Sequence, residues 1–323
     1  MITFVALSPS VDVTYLVDEF VEGGTFRPTS VFRAAGGKAL NAARAARVLG
    51  ASVRAVAILG GSTGAFIGRD LAAAGVPLEA VVAEAETRTC VSIASAASGL
   101  LTELYEHPSA VSAEELASLR RVLGRSADDG WWAISGGMPS SVPVGELAGL
   151  VRLGHSLGQR VAIDSHGAAL AAALIDRPDL VKVNRREAAE LVGASLETDV
   201  FDLALRIRDV TGGQVVITDG VDGSIAVDDT QRWRARGTGA FGRYPVGSGD
   251  SYLGGLLAGL DQGDAFDGAL RLAAGAATAP AVTMALSGAP EPNLTIRRAS
   301  ISASSSLSAA RGCQPVLLFS VPV

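Results

Sequence analysis

Pro245-Val246-Gly247-Ser248-Gly249-Asp250-Ser251 runs straight into the apolar stretch Tyr252-Leu253-Gly254-Gly255-Leu256-Leu257-Ala258-Gly259-Leu260. Two glycines flank a small serine, a carboxylate follows, and a helix pattern begins at once. Glycines let successive backbone N–H groups converge, and a helix start adds partial positive charge, so the stretch reads as an anion cradle. Asp250 at its edge repels the anion that such a cradle attracts. Two readings account for it. One is an ordinary turn with Asp250 as helix N-cap. The other is a base that takes a proton from a hydroxyl about to attack a phosphoryl group.

Working outward, the chain alternates strand and helix patterns. Ile2 to Leu7 is a short apolar run, the pattern of a strand buried on both faces. Asp12 follows just beyond it, where ligand-facing residues collect in parallel α/β sheets. Further strands are expected at 53–59, 131–135, 160–164, 180–183 and 214–218, with helices at 39–49, 112–126, 144–157, 186–191 and 200–210 and one ending at Ala74. Repeated units of this kind imply an α/β fold with a parallel sheet and helices on both faces. Two stretches break the rhythm with period-two patterns: 13–17 with 30–33, and 89–94 with 101–105. They are expected to join into one β lid. A terminal hairpin is expected at 224–228 and 231–236, then two Ala/Gly-rich helices at 251–260 and 264–286. From about 291 to 323 the chain is serine-rich and aperiodic apart from one apolar run, and reads as a poorly packed tail peripheral to function.

Composition narrows the class. Apolar residues make up 48% and charged ones 19%, enough for a sizeable core and incompatible with global disorder. The formal charge of −6 leaves no basic footprint for nucleic acid, so an anionic substrate must be held by local cations. Cys90 and Cys313 are too few and too far apart for a disulfide framework or a zinc site. The first residues read as a strand, not a signal peptide, and no run approaches a membrane span. The expectation is a soluble cytoplasmic protein.

Other stretches carry candidate chemistry. Gly36-Gly37-Lys38 opens a helix and can hold an anionic or polyhydroxylated ligand; Asn41 and Arg44 lie one and two turns on, on the face of Lys38. Arg88, after Thr87, and Arg27 stand at the two hairpins as further cations or as plain surface charges. In Lys182-Val183-Asn184-Arg185-Arg186-Glu187, Asn184 and Glu187 face one point at a strand-to-helix junction. They suit either Mg²⁺ beside substrate phosphates or a helix capping box. Thr218-Asp219-Gly220, followed by Asp222-Gly223, is a strand-end turn. His155 and His166 have no nucleophile–base partner nearby in sequence.

The order of these motifs resembles the ribokinase/PfkB family of carbohydrate kinases: Leu7-Ser8-Pro9-Ser10-Val11-Asp12, Gly36-Gly37-Lys38-Ala39-Leu40-Asn41, Thr87-Arg88, Ser135-Gly136-Gly137-Met138-Pro139, Lys182 to Glu187, and Gly247 to Ser251. The resemblance covers residues 1–290. It implies a ribokinase-like three-layer α/β/α sandwich with a mostly parallel central sheet and a small β-sheet lid from about 13–34 and 87–106. It implies Asp250 as the base that deprotonates the acceptor hydroxyl, and the amides of Gly247, Ser248 and Gly249 as the hole for the transferring phosphoryl group. Asp12, Gly36, Gly37, Lys38 and Asn41 match the sugar side. Lys182, Asn184, Thr218, Gly220 and Gly223 match the nucleotide side, and Asn184 with Glu187 matches the motif tied to Mg²⁺. ATP and Mg²⁺ are therefore the expected cosubstrate and ion.

Thr87-Arg88, Arg27 and the Leu-x-Pro-x-x-Asp start look like the phosphofructokinase and tagatose-6-phosphate kinase branch. A phosphorylated sugar needs extra cations, and Arg88, Lys38 and Arg27 are the candidates. Conversion of fructose 1-phosphate to fructose 1,6-bisphosphate is the first choice. Tagatose 6-phosphate, fructose 6-phosphate and plain sugars are alternatives, and a sugar-phosphate or nucleotide sensor is the non-enzyme alternative. A homodimer through the lid is the expected assembly. Departures from the family pattern are Ser8, Ala39, His166, Ser248 and, near the adenine, Pro280.

Overall fold

A computed structural model describes residues 1–125, 129–236 and 247–278 and the backbone of 316–318. Pro245, Val246, Pro280, Cys313 and most of the expected tail lie outside the described residues. The first half of the chain contains β1 (Ile2–Ala6), β2 (Ser10–Val17), β3 (Ser30–Gly36), α1 (Lys38–Val48), β4 (Val53–Leu59), α2 (Gly61–Ala73), β5 (Leu78–Val82), β6 (Thr89–Ser95), β7 (Leu101–Tyr105) and α3 (Ala113–Leu123). The second half contains β8 (Trp131–Ser135), α4 (Glu146–Ser156), β9 (Arg160–Asp164), α5 (Gly167–Leu174), β10 (Leu180–Asn184), α6 (Arg185–Leu191), α7 (Val200–Thr211) and β11 (Gln214–Thr218). It closes with β12 (Ser224–Val227), β13 (Arg232–Arg236), α8 (Ser248–Asp261), α9 (Phe266–Thr278) and β14 (Val316–Leu318).

The large sheet has the order β14-β13-β12-β11-β10-β9-β8-β1-β4-β5. From β5 to β11 all neighbours pair in parallel, and β12 and β13 then add as an antiparallel hairpin. β14 extends the sheet parallel to β13, so part of the expected tail is paired backbone. Apolar clusters cover both faces. Along β1, Phe4 and Ala6 enter one cluster with residues of α1, α8 and α9, while Val5 enters the other with residues of α3, α4 and α7. A strand buried on both faces has to be apolar at every position, which is why these strands read as continuous runs. The result is the expected three-layer arrangement.

The two expected hairpins join in one separate sheet of order β3-β2-β6-β7. Its strand β7 is an open edge carrying exposed Leu104 and Tyr105. Asp12 lies within β2, part of this sheet, rather than in a loop after β1. The sequence reading also missed β5 and α5. β5 is an edge strand with an exposed, weakly alternating pattern, and α5 is a single apolar run without a polar face.

Close helix packing sets the frame of the site. A Cβ on Gly254 would lie 2.5 Å from the Ala42 carbonyl oxygen of α1, and one on Gly259 2.8 Å from Ala269 Cα of α9. Glycine here is a steric requirement that brings α8 against its neighbours. Gly254→Val is expected to cost about 1–3 kcal/mol by overpacking. An unchanged urea midpoint would contradict the tight α1–α8 contact.

Candidate active site

The quoted glycine stretch forms the entry to α8. Gly247 is the N-cap with φ of 75°, in the left-handed region, and no side chain among the described residues caps the helix. The first-turn amides therefore stay open to an anion. The N-cap reading of Asp250 is thereby overturned. Asp250 is the third residue of α8, and its Oδ2 accepts a hydrogen bond from Asn41 Nδ2 of α1 at 3.0 Å. Burial, followed by the nearby Asp164 carboxylate, pushes the Asp250 pKa up to about 7; Asn41, Lys182 and Lys38 only partly offset this.

Beside Asp250 lies a buried charge cluster that the sequence reading did not assemble. Asp164, at the C-terminal end of β9, accepts from Lys182 Nζ at 2.6 Å and from Lys38 Nζ at 3.2 Å. Burial alone would raise the Asp164 pKa, but the two ammonium groups hold it below the usual carboxylate range. Lys38 also lies 3.4 Å from Glu187 Oε1. Burial opposes its charge, yet Asp164, Glu187 and Asp250 hold its pKa above the ordinary lysine value. Lys182 is buried beneath the cradle, its Nζ 3.4 Å from where a Cβ on Gly249 would be. Asp164 had a sequence signal: a lone carboxylate ending an apolar strand that faces the same rim as Asn184 and Thr218.

Asn184 and Glu187 form a capping box at the start of α6. The Glu187 N–H donates to Asn184 Oδ1 and the Asn184 N–H to Glu187 Oε2, both at 2.9 Å. Both oxygens also suit Mg²⁺. No group of three or more His, Cys, Asp or Glu that could hold a metal exists among the described residues. Two oxygen donors at a strand-to-helix junction fit an ion that keeps several waters and arrives on nucleotide phosphates. On the same rim, Thr218 Oγ1 is 3.5 Å from the Val183 carbonyl, and Asp219 pairs with Arg185 at 3.1 Å. Gly220 and Gly223 both have positive φ, and a Cβ on Gly223 would lie 2.2 Å from the Ala235 carbonyl oxygen. Close approach of β13 is thus one requirement for glycine at 223.

On the opposite side, a Cβ on Gly36 would fall 2.0 Å from Asp12 Cγ, so the missing side chain is what admits the carboxylate. Gly37 has φ of 89° and its backbone N–H supports Asp12, as does Ser10 Oγ at 2.6 Å. Burial raises the Asp12 pKa, with Ser10, Gly37, Arg88 and Asn41 opposing it. Arg88 donates to the carbonyls of Glu106 at 3.0 Å and Ser8 at 3.3 Å, while its Nε is buried without a partner among the described residues. Arg27 is exposed between β2 and β3. Arg44 turns away from the cluster that Lys38 joins and braces the Ala35 carbonyl at 3.0 Å and Asp70 at 3.7 Å. His155 pairs with Asp179, just before the start of β10, and His166 packs against Gly137.

A buried carboxylate with raised proton affinity, next to helix-start amides and two lysines, has the chemistry that moving a phosphoryl group onto a hydroxyl needs. The chain matches the model of the pfkB family carbohydrate kinases over residues 4–292 and belongs to that family. It is an ATP-dependent sugar kinase. The tetrameric inhibited form of phosphofructokinase-2 from Escherichia coli is 28% identical, with a TM-score of 0.83 over 89% of this chain and 95% of that one. The same enzyme in complex with fructose-6-phosphate is 28% identical over 86% of this chain and 92% of that one, with a TM-score of 0.81. A possible 1-phosphofructokinase from Thermotoga maritima shares the fold at 21% identity, with a TM-score of 0.76 over 89% and 93% of the two chains.

Proposed function

We propose that the protein transfers the γ-phosphoryl group of ATP to a ketohexose monophosphate, with fructose 1-phosphate as acceptor and fructose 1,6-bisphosphate as product. The observation that carries the reaction type is Asp250: a buried carboxylate with its pKa pushed up to about 7, in the first turn of a helix whose N-cap is Gly247. Asp250 takes the proton of the acceptor hydroxyl as the oxygen attacks the γ-phosphorus in line. The amides of Gly247, Ser248 and Gly249 receive the charge on the transferring group, with Lys182 beneath them. Glu187 and Asn184 would hold Mg²⁺, which would supply positive charge to offset that of the nucleotide phosphates. Asp12, Gly36, Gly37 and Asn41 face the sugar, Thr218 and Gly220 the nucleotide. The small sheet acts as a lid that excludes water.

Arg88 supports a phosphorylated acceptor: it is a cation beside Asp12, with a buried Nε unpartnered among the described residues. Fructose 6-phosphate is a second reading, favoured by the complex of the 28% identical neighbour with that sugar phosphate. A non-catalytic sensor has no use for a base held at Asp250. ADP release measured over fructose 1-phosphate, fructose 6-phosphate, tagatose 6-phosphate, fructose and ribose separates these readings. Arg88→Ala is expected to raise KM for the phosphorylated acceptor tenfold or more, and to leave KM for an unphosphorylated sugar within twofold. Equal effects on both sugars, or a higher kcat/KM for fructose or ribose, would place the enzyme among plain sugar kinases.

A further inference from the structure

Asn41 supports Asp12 on the sugar side, and the same side chain also holds the base. It stands one turn into α1, where Gly254 lets α8 approach, and its Nδ2 donates to Asp250 Oδ2 at 3.0 Å. A carboxylate only accepts hydrogen bonds, so the amide presents its NH₂ to the carboxylates of Asp250 and Asp12 and turns its Oδ1 away from them. That Oδ1 is buried without a partner among the described residues, and Asn41 as a whole is 6% exposed. The geometry points to Asn41 as the positioning residue of the base. It ties down Oδ2, leaves the second carboxylate oxygen of Asp250 to take the acceptor's proton, and holds the carboxylate in its ionised form. This inference rests on the proposed role of Asp250.

The charged groups facing Asp250 are Asp164 from β9, Lys182 from β10 and Lys38 from α1. Asp164 favours the protonated form, and the lysines act through space. Asn41 alone among the described residues gives the carboxylate a direct side-chain hydrogen bond. Such a bond favours the charged form, so its loss raises the pH needed to ionise Asp250.

The test is the pH profile of kcat/KM, measured with the best acceptor of the panel above, for the wild type, Asn41→Leu, Asn41→Ala and Asp250→Asn. Leucine excludes water from the vacated volume; alanine suits the alanine-rich helix and guards against a folding failure. The acid limb is expected to move up by about one to two pH units, the worth of a hydrogen bond to a charged group. At pH 7 kcat should fall about tenfold or more and recover partly by pH 9. Folding is checked by thermal melting. An unmoved acid limb in folded Asn41 variants, with only KM raised, would overturn the inference and leave Asn41 as a sugar contact. If Asp250→Asn keeps near-wild-type turnover, the reading of Asp250 as base fails instead.

Discussion

Asp250→Asn is expected to lower kcat by about 10²–10⁴-fold, the usual contribution of a positioned general base, while nucleotide binding persists. The substitution keeps the shape of the side chain and its place beside Asn41 but cannot accept the hydroxyl proton. In the wild type, kcat/KM should rise with pH through about 7 and then level, because the carboxylate must be ionised to act and burial pushes its pKa to about 7. The same shift carries a stability cost with a definite sign. The unfolded carboxylate loses its proton near about pH 4, the folded one near 7, so between these values the folded state binds more protons. Stability from this group therefore falls as pH rises from about 4 to 7 and stays low above. Asp250→Asn should accordingly melt higher than wild type at pH 8, with the gain gone below about pH 4. Near-wild-type kcat, or equal melting temperatures at pH 8, would remove the assignment of a strained, buried base.

The second large effect is on stability. Asp164→Ala removes the carboxylate shared by Lys182 at 2.6 Å and Lys38 at 3.2 Å and leaves the Lys182 ammonium buried without it. Breaking a buried pair by deleting one partner costs about 3–5 kcal/mol, because the remaining charge stays desolvated. The folded Asp164 has a lowered pKa, so its contribution is present above the unfolded carboxylate value and lost as pH falls through the folded one. Urea unfolding at pH 7 measures the loss, and a change under about 1 kcal/mol would show that the pairs are not worth their burial. A milder Asp164→Asn keeps the shape and removes the charge that raises the Asp250 pKa, so its acid limb should move to lower pH. Activity and stability thus read out two different consequences of one carboxylate.

Much of the fold was legible because it is written in local patterns. Apolar runs announce strands buried on two faces, and the period-two stretches announce the half-exposed second sheet. β5 escaped because an edge strand with exposed Glu79 and Val82 carries neither pattern. The glycines were legible as a class, but their reasons were not. Gly247 is a left-handed cap, Gly36 makes room for Asp12, and Gly254 admits α1. Arg44 shows how a helical spacing can mislead: sequence put it on the face of Lys38, whereas Asp70 and the Ala35 carbonyl claim it. The spacing of Asn184 and Glu187 allowed a capping box or an ion site, and the capping box is what their hydrogen bonds form.

By itself the sequence determined the α/β architecture, the two-sided core and the glycine-opened helix start that bears Asp250, since each depends on neighbours within a turn or a strand. The tertiary structure alone decided what Asp250 is attached to. Asn41 is 209 residues away along the chain, and Lys38 reaches Asp164 and Glu187 across 126 and 149 residues. No local spacing encodes those contacts. They arise where the ends of parallel strands and the starts of helices converge on one rim, out of water. There, burial raises the proton affinity of one carboxylate, and paired lysines lower that of its neighbour.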